Sequence, residues 1–200
     1  KPGKRVLVDS LYTDEYSNPE NQASGLMMNI DNWIYSAYST TRYRLKDGKW
    51  IHEPTPFRGQ FGITKDNAGR LYYGYNEVQL VGDYVLPNAS VGNRYMKPQE
   101  TINKVITTDQ RVYPLHPTTV NRGYVTGILN PDSVLLRFTA ACGPLIYRGD
   151  QFPAGYGENA FVCEPQANLI KRNVLTFENL KTTAVQAWND KEFIASTDEG

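Results

Sequence analysis

The residues best suited to chemistry in this chain are two cysteines, Cys142 and Cys163. On their own they cannot supply the four ligands of a structural zinc site. An even pair is compatible with one disulfide bond in an oxidising compartment, whereas both would be buried thiols in a reducing one. The sequence leaves both interpretations open, and Cys142 with Cys163 is the candidate disulfide.

Few other residues form a recognisable catalytic pattern. The chain has two histidines, of which His52 follows a strand-like stretch and His116 lies between prolines in residues 114–117. Cys-x-x-Cys-His does not occur, so no covalent haem is attached within this chain. The chain also lacks a nucleophile elbow, a phosphate-binding loop and a His-Glu-x-x-His motif. No reaction is therefore assigned from motifs alone.

Carboxylates near turns offer the remaining chemistry. Asp9, Asp31, Asp66 and Asp150 stand in Asp- and Asn-rich stretches that could bind Ca²⁺ through oxygen ligands. The spacing of a known calcium loop is missing, and turn formation explains these residues more simply. We assign no metal ligands from the sequence.

The elements that must position these residues are predicted to be β-strands. Short apolar and aromatic runs alternate with Gly, Pro, Asn and Asp, and Asp47-Gly48 lies between strand-like residues as a hairpin turn does. Tyr35 follows Gly25 at the same interval at which Tyr72 follows Gly62, and a looser third unit begins at Gly143. Such a repeat predicts blades of a β-propeller, and the alternative is a β-sandwich with hairpins that are similar by chance.

We interpret residues 1–200 as one propeller segment with a long excursion between blades at about 87–122, where prolines recur without alternation. A six-bladed ring needs roughly 250 residues or more, at about 40–45 per blade. The chain is therefore expected to be a segment of a longer protein, or part of a ring that a partner chain completes.

The charge and hydropathy exclude two classes of partner. Lys and Arg total 21, Asp and Glu total 21, and the net charge is zero, whereas nucleic-acid binders usually carry a basic excess. The mean hydropathy is −0.52 and no apolar run approaches the ~18 residues of a membrane span. We expect neither nucleic-acid binding nor a membrane span.

Several segments resemble one family, the glucose/sorbosone dehydrogenase-like propellers. The resemblance is strongest to a branch of large membrane-bound dehydrogenases from Bacteroidetes and Planctomycetes that often carry a c-type cytochrome domain. It runs from about residue 18 to 199 and is most specific over 138–165. The matching stretches are 31–35, 58–62, 138–150, 152–153, 157–165, 168–175 and 195–199.

The resemblance implies a six-bladed propeller that holds pyrroloquinoline quinone, often with Ca²⁺. In such enzymes the quinone takes a hydride from a sugar or alcohol while a histidine removes the hydroxyl proton. Electrons then pass to a cytochrome c. It also implies a periplasmic, cell-envelope or extracellular location.

The family's site residues transfer only in part. The position of the catalytic histidine is occupied by Asn21, which cannot accept a proton at neutral pH, and neighbouring Glu20 is the substitute base to consider. Arg58 stands where the family places a quinone-facing arginine, and the planar guanidinium group can donate two hydrogen bonds to the paired carbonyl oxygens of a quinone. The next residue is Gly59, where those enzymes have asparagine.

Two functions follow as expectations. The first is a propeller domain of a quinone-dependent sugar or alcohol dehydrogenase that passes electrons to a cytochrome c. The alternative is a non-catalytic propeller that serves as a binding or assembly platform at the cell envelope, which the asparagine at position 21 favours. A lectin-like carbohydrate binder is a third interpretation, based on the abundance of tyrosine.

Overall fold

The structure is a computed structural model that describes residues 3–14, 16–89, 93, 95, 100–118 and 123–198. The described residues fold into strands that form three antiparallel sheets, each built on four strands whose neighbours in sequence are neighbours in the sheet. This confirms the predicted all-β class. The described residues do not close into a barrel or a ring, so the propeller arrangement stays a prediction.

The first sheet contains β1–β4, the second β5–β8 and the third β9–β12, with β13 pairing on β11. The strands are β1 Ser24–Met28, β2 Ile34–Ala37, β3 Thr41–Lys46, β4 Lys49–Pro54, β5 Ile63–Lys65, β6 Leu71–Tyr75, β7 Val78–Gly82, β8 Lys104–Val105, β9 Cys142–Ile146, β10 Ala160–Glu164, β11 Leu169–Glu178, β12 Lys181–Gln186 and β13 Ile194–Ala195.

Turn residues fix where the hairpins reverse. Asp47 and Gly48 join β3 to β4 with positive φ angles of 51° and 73°, as a two-residue turn between right-twisted strands requires. The predicted hairpin at this position is therefore confirmed. Asn32 and Gly69 take positive φ angles at matching points of the β1–β2 and β5–β6 hairpins.

The glycines that define the sequence repeat lie together in space. Gly25, Gly62 and Gly143 all have positive φ and stand at or just before the first strand of each sheet. A Cβ on Gly25 would lie 3.0 Å from the Gly62 Cα, and one on Gly62 would lie 3.5 Å from the Gly143 Cα. The positive φ angles favour glycine at all three positions, and the 3.0 Å contact at Gly25 is tighter than an ordinary Cβ contact. The first strands of the three sheets therefore converge at one point.

The three sheets are stacked, with the second sheet between the other two. Tyr73 packs against the first sheet with Trp33 and Tyr35, whereas Tyr72 packs against the third sheet with Ile146 and Val162. Successive residues of a strand point to opposite faces, which is why β6 is buried on both sides. We call the contact between the first and second sheets the first join, and the contact between the second and third sheets the second join.

The predicted excursion at 87–122 is interrupted by β8, which adds the fourth strand to the second sheet. Irregular structure resumes after β8 and includes two isolated bridges, Arg111 with Arg137 and Leu129 with Leu135. Among the described residues, no helix is long and apolar enough to cross a bilayer.

Candidate functional site

Asn21 and Glu20 lie in the segment that leads into β1. Asn21 is half-buried, and its side-chain oxygen accepts a hydrogen bond from Gln60 Nε2 at 3.1 Å. Glu20 is exposed, with its backbone N–H donating to the Asn18 side chain at 3.0 Å. Asn21 therefore contacts the loop that carries Arg58, and it does so through a pair of side-chain amides, neither of which can act as a general base.

Arg58 lies in the loop that joins the first sheet to the second, and its side chain is 1% exposed. The guanidinium Nε donates to Asp83 Oδ2 at 2.7 Å, and Nη1 donates to Thr55 Oγ1 at 2.8 Å and to the Pro56 carbonyl at 2.9 Å. The guanidinium carbon of Arg58, Cζ, lies 5.8 Å from the centre of the Tyr35 ring. The cation is held inside the first join.

Asp83 is the counter-ion that sequence reasoning missed. It follows β7, is completely buried, and accepts a second hydrogen bond from the Tyr73 hydroxyl at 2.7 Å. That hydroxyl in turn accepts from the Asn103 backbone N–H at 3.0 Å. Burial, followed by the neighbouring Asp83 carboxylate, raises the pKa of Tyr73 well above its usual value, so the phenol remains a donor.

Gly59 is explained by packing. Its φ is +58°, and a Cβ there would lie 2.7 Å from the Tyr73 Cβ and 3.1 Å from the Gly74 carbonyl oxygen. An asparagine at this position would collide with the second sheet unless the loop moved. The glycine that departs from the family pattern is therefore required by the same join that buries Arg58.

The residues present do not fit a bound quinone. Asn21 offers no base, Nε and Nη1 of Arg58 donate to Asp83, Thr55 and Pro56 while its unpartnered Nη2 is buried, and position 59 has no room for a side chain. Within the part of the chain that the structure describes, no group of three or more His, Cys, Asp or Glu side chains could hold a metal ion. We derive no catalytic step through either group.

A second buried ion pair lies beneath an open groove on the far side of the molecule. Lys171 Nζ contacts Glu192 Oε1 at 2.8 Å, both side chains are 1% exposed, and the Tyr113 backbone N–H donates to the same oxygen at 2.9 Å. The groove holds about 800 Å³ and is lined by apolar residues of 112–115 and 134–136. This pair could not be predicted from the sequence, because its members are 21 residues apart and neither belongs to a motif.

The two cysteines are brought together. Cys142 on β9 is the register partner of Cys163 on β10, and both are half-buried free thiols. Burial raises the pKa of each thiol, and for Cys142 the neighbouring Cys163 adds to the rise. The candidate disulfide therefore has its two residues in adjacent positions.

Comparison with known proteins gives one family. A model described as a domain of unknown function, DUF7133, matches residues 4–200, which is nearly the whole chain. No curated protein and no solved structure matches the chain.

Proposed function

The chain belongs to the DUF7133 family, a domain of unknown function, and we propose that it is a non-catalytic β-propeller segment that serves as a binding or assembly platform. The observation that carries this proposal is the burial of Arg58 in an ion pair with Asp83. Two nitrogens of this arginine donate to groups inside the contact between two sheets, and the third, Nη2, has no partner but is buried, so a cofactor could reach it only if the contact opened. The alternative, a quinone-dependent dehydrogenase, needs the same guanidinium free.

Three features support a propeller arrangement of the sheets. Each sheet contains a four-stranded meander, to which the third sheet adds β13, the first strands converge at Gly25, Gly62 and Gly143, and the middle sheet is buried on both faces. Blades that pack side by side around an axis have these properties. In this arrangement the outer faces of the first and third sheets are the places where further blades would pack.

The outer face of the first sheet is suited to receive another four-stranded sheet. Leu26 on this face is 62% exposed, and Ile34 and Trp50 line the same apolar groove. Residues 6–9 of the chain form one wall of this groove, with Val6 and Leu7 themselves 67% and 80% exposed, so a further sheet would pack on the face and this segment together. The repeat aligns Leu26 with Ile63 and Ile34 with Leu71, which are both buried in the first join. The occupant we propose is therefore a sheet like the second sheet, supplied by further chain or by a partner protein.

A reconstitution experiment tests the non-catalytic proposal. The purified chain is mixed with pyrroloquinoline quinone and Ca²⁺, and bound quinone is measured after gel filtration together with dye reduction on a panel of sugars and alcohols. We expect the quinone to separate from the protein and the dye to remain oxidised. Quinone that co-elutes with the protein, together with substrate-dependent dye reduction, would establish the dehydrogenase instead.

Two leucine variants test the platform. Leu26 and Leu180 are equally exposed at 62%, but Leu180 lies at the tip of the β11–β12 hairpin, away from the outer face. We expect the chain to self-associate with increasing concentration through its open apolar faces, as measured by sedimentation velocity. Leu26→Asp should weaken this association, whereas Leu180→Asp should not. If both variants changed self-association equally, the outer face of the first sheet would not be the binding surface, and this part of the proposal would be wrong.

The cell-envelope location and a cytochrome c or envelope-protein partner remain predictions from the resemblance. Fractionation of cells that produce the protein from its natural gene tests the location. Recovery of the protein in the cytosol would contradict it.

A further inference from the structure

The two cysteines occupy one defined place at the edge of the third sheet. β9 pairs only with β10 within that sheet, and the pairing sets Cys142 opposite Cys163. On β10 the flanking Val162 and Glu164 are buried, while Cys163 is half-buried. Since side chains alternate along a strand, Cys163 points to the outer face of the sheet, away from the second sheet.

The strand register places Cys142 and Cys163 close enough to form a disulfide bond. Directly opposed residues of antiparallel strands have Cα atoms about 4.5–5.5 Å apart. A disulfide spans Cα separations of about 4.4–6.8 Å, so the strands need not move apart or together to accommodate one. In the third sheet, a β-bulge with a glycine of positive φ follows Cys142. The first sheet has the same bulge after Ser24, and the residue paired with Ser24 across the strands is Ala37. The third sheet therefore has cysteines at a cross-strand position where the first sheet has serine and alanine.

We propose that Cys142 and Cys163 form a cross-strand disulfide that fastens β9 to the rest of the third sheet. The bond forms by thiol–disulfide exchange with a disulfide oxidant, such as oxidised glutathione. The two protein thiols lose two protons and two electrons and become one S–S bond, while the oxidant is reduced to two thiols. The inference does not depend on the proposed platform function.

The position of β9 gives this bond a consequence beyond its own sheet. β9 is one of the strands that hydrogen-bond the third sheet to the second: Gly143 N–H donates to the Phe61 carbonyl at 2.8 Å, and Ile146 N–H donates to Thr64 Oγ1 at 3.3 Å. A bond from β9 to β10 therefore stabilises the second join. The raised pKa of both thiols leaves little thiolate at neutral pH, so oxidation needs a competent oxidant.

Mass spectrometry of the folded chain tests the bond. The protein is incubated with oxidised glutathione at mildly alkaline pH, remaining thiols are alkylated, and intact masses are measured. We expect the wild type to lose two hydrogens and carry no adduct, whereas Cys142→Ser and Cys163→Ser each acquire one glutathione. Wild-type protein that carries two glutathiones, or that keeps both thiols open to alkylation, would overturn the proposal.

Urea unfolding tests the structural consequence. We expect the oxidised wild type to unfold at a higher urea concentration than the same protein treated with dithiothreitol. The double variant Cys142→Ser, Cys163→Ser controls for the reductant and should show one midpoint under both conditions. An oxidised wild type whose midpoint equals that of its reduced form would show that the bond does not stabilise the second join.

Discussion

The first and second joins are built from the same repeated hairpins but are stabilised differently. The first join surrounds the buried Arg58–Asp83 pair with a small set of aromatic and aliphatic side chains. The second join buries a larger apolar cluster that includes Tyr72, Leu80 and Phe138. A join that depends on charge fails when one partner is removed, whereas a join that depends on volume weakens in proportion to the volume lost.

The first join also contains the residue that the resemblance assigns to a cofactor. The repeat places Arg58 at the entry to the second sheet, where the resemblance expects a quinone-facing arginine. In this chain Asp83 and Tyr73 complete a buried network around it, so the same residue holds two sheets together.

The largest expected effect is in the first join. Asp83→Asn leaves the guanidinium of Arg58 buried without a counter-ion, and we expect a loss of about 3–5 kcal/mol in the free energy of unfolding. Urea unfolding followed by tryptophan fluorescence measures it. The matched control is Asp109→Asn, which removes the partner of an exposed arginine, Arg111, and should leave the midpoint nearly unchanged. Equal shifts for both variants would mean that the first join does not depend on its charge pair.

The next effect is in the second join. Leu80 is completely buried, and Leu80→Ala should lower the free energy of unfolding by about 2–5 kcal/mol through lost contacts and a residual cavity. Leu180→Ala, at an exposed position, is the control and should change stability little. If the two alanine variants unfolded at the same urea concentration, the apolar cluster would not be what stabilises this join.

A smaller effect on stability is expected from glycine substitutions. It distinguishes a glycine that is needed only for its positive φ from one that is also needed because a side chain would clash with its neighbours. Gly59 and Gly48 both have positive φ, but only at Gly59 would a Cβ meet the second sheet, since nothing lies within 4 Å of Gly48. Asparagine tolerates positive φ, so Gly48→Asn should be nearly neutral in thermal unfolding. Gly59→Asn should be destabilising by about 1–3 kcal/mol, because it overpacks the first join. Equal melting temperatures would contradict the packing explanation.

The smallest effect is kinetic and concerns the reduced cysteines beside the second join. A raised pKa means that each thiol is less ionised than an ordinary thiol at the same pH, so alkylation by iodoacetamide should be slower than for free cysteine. The rate should rise through a more alkaline range than the ordinary thiol titration and should approach the free-cysteine rate after denaturation. Folded protein that reacts as fast as free cysteine at neutral pH would contradict the raised pKa.

The sequence was informative about local structure and less so about long-range partners. The all-β class, the hairpin at Asp47-Gly48 and the repeated glycines could be predicted, because turns and strand alternation are encoded by neighbouring residues. The partner of Arg58 could not, since Asp83 is 25 residues away and becomes adjacent only when two sheets pack. β8 was missed for a similar reason: it has two residues, and pairing with β7 defines it.

A double-mutant cycle on the first join tests the central claim most directly. Arg58→Met, Asp83→Asn and the double variant are compared with the wild type by urea unfolding. If Arg58 and Asp83 stabilise the join as a pair, their coupling should be about 2 kcal/mol, and the double variant should be more stable than Asp83→Asn alone. Additive effects of the two substitutions would contradict the account, because they would show that Arg58 is not held by Asp83.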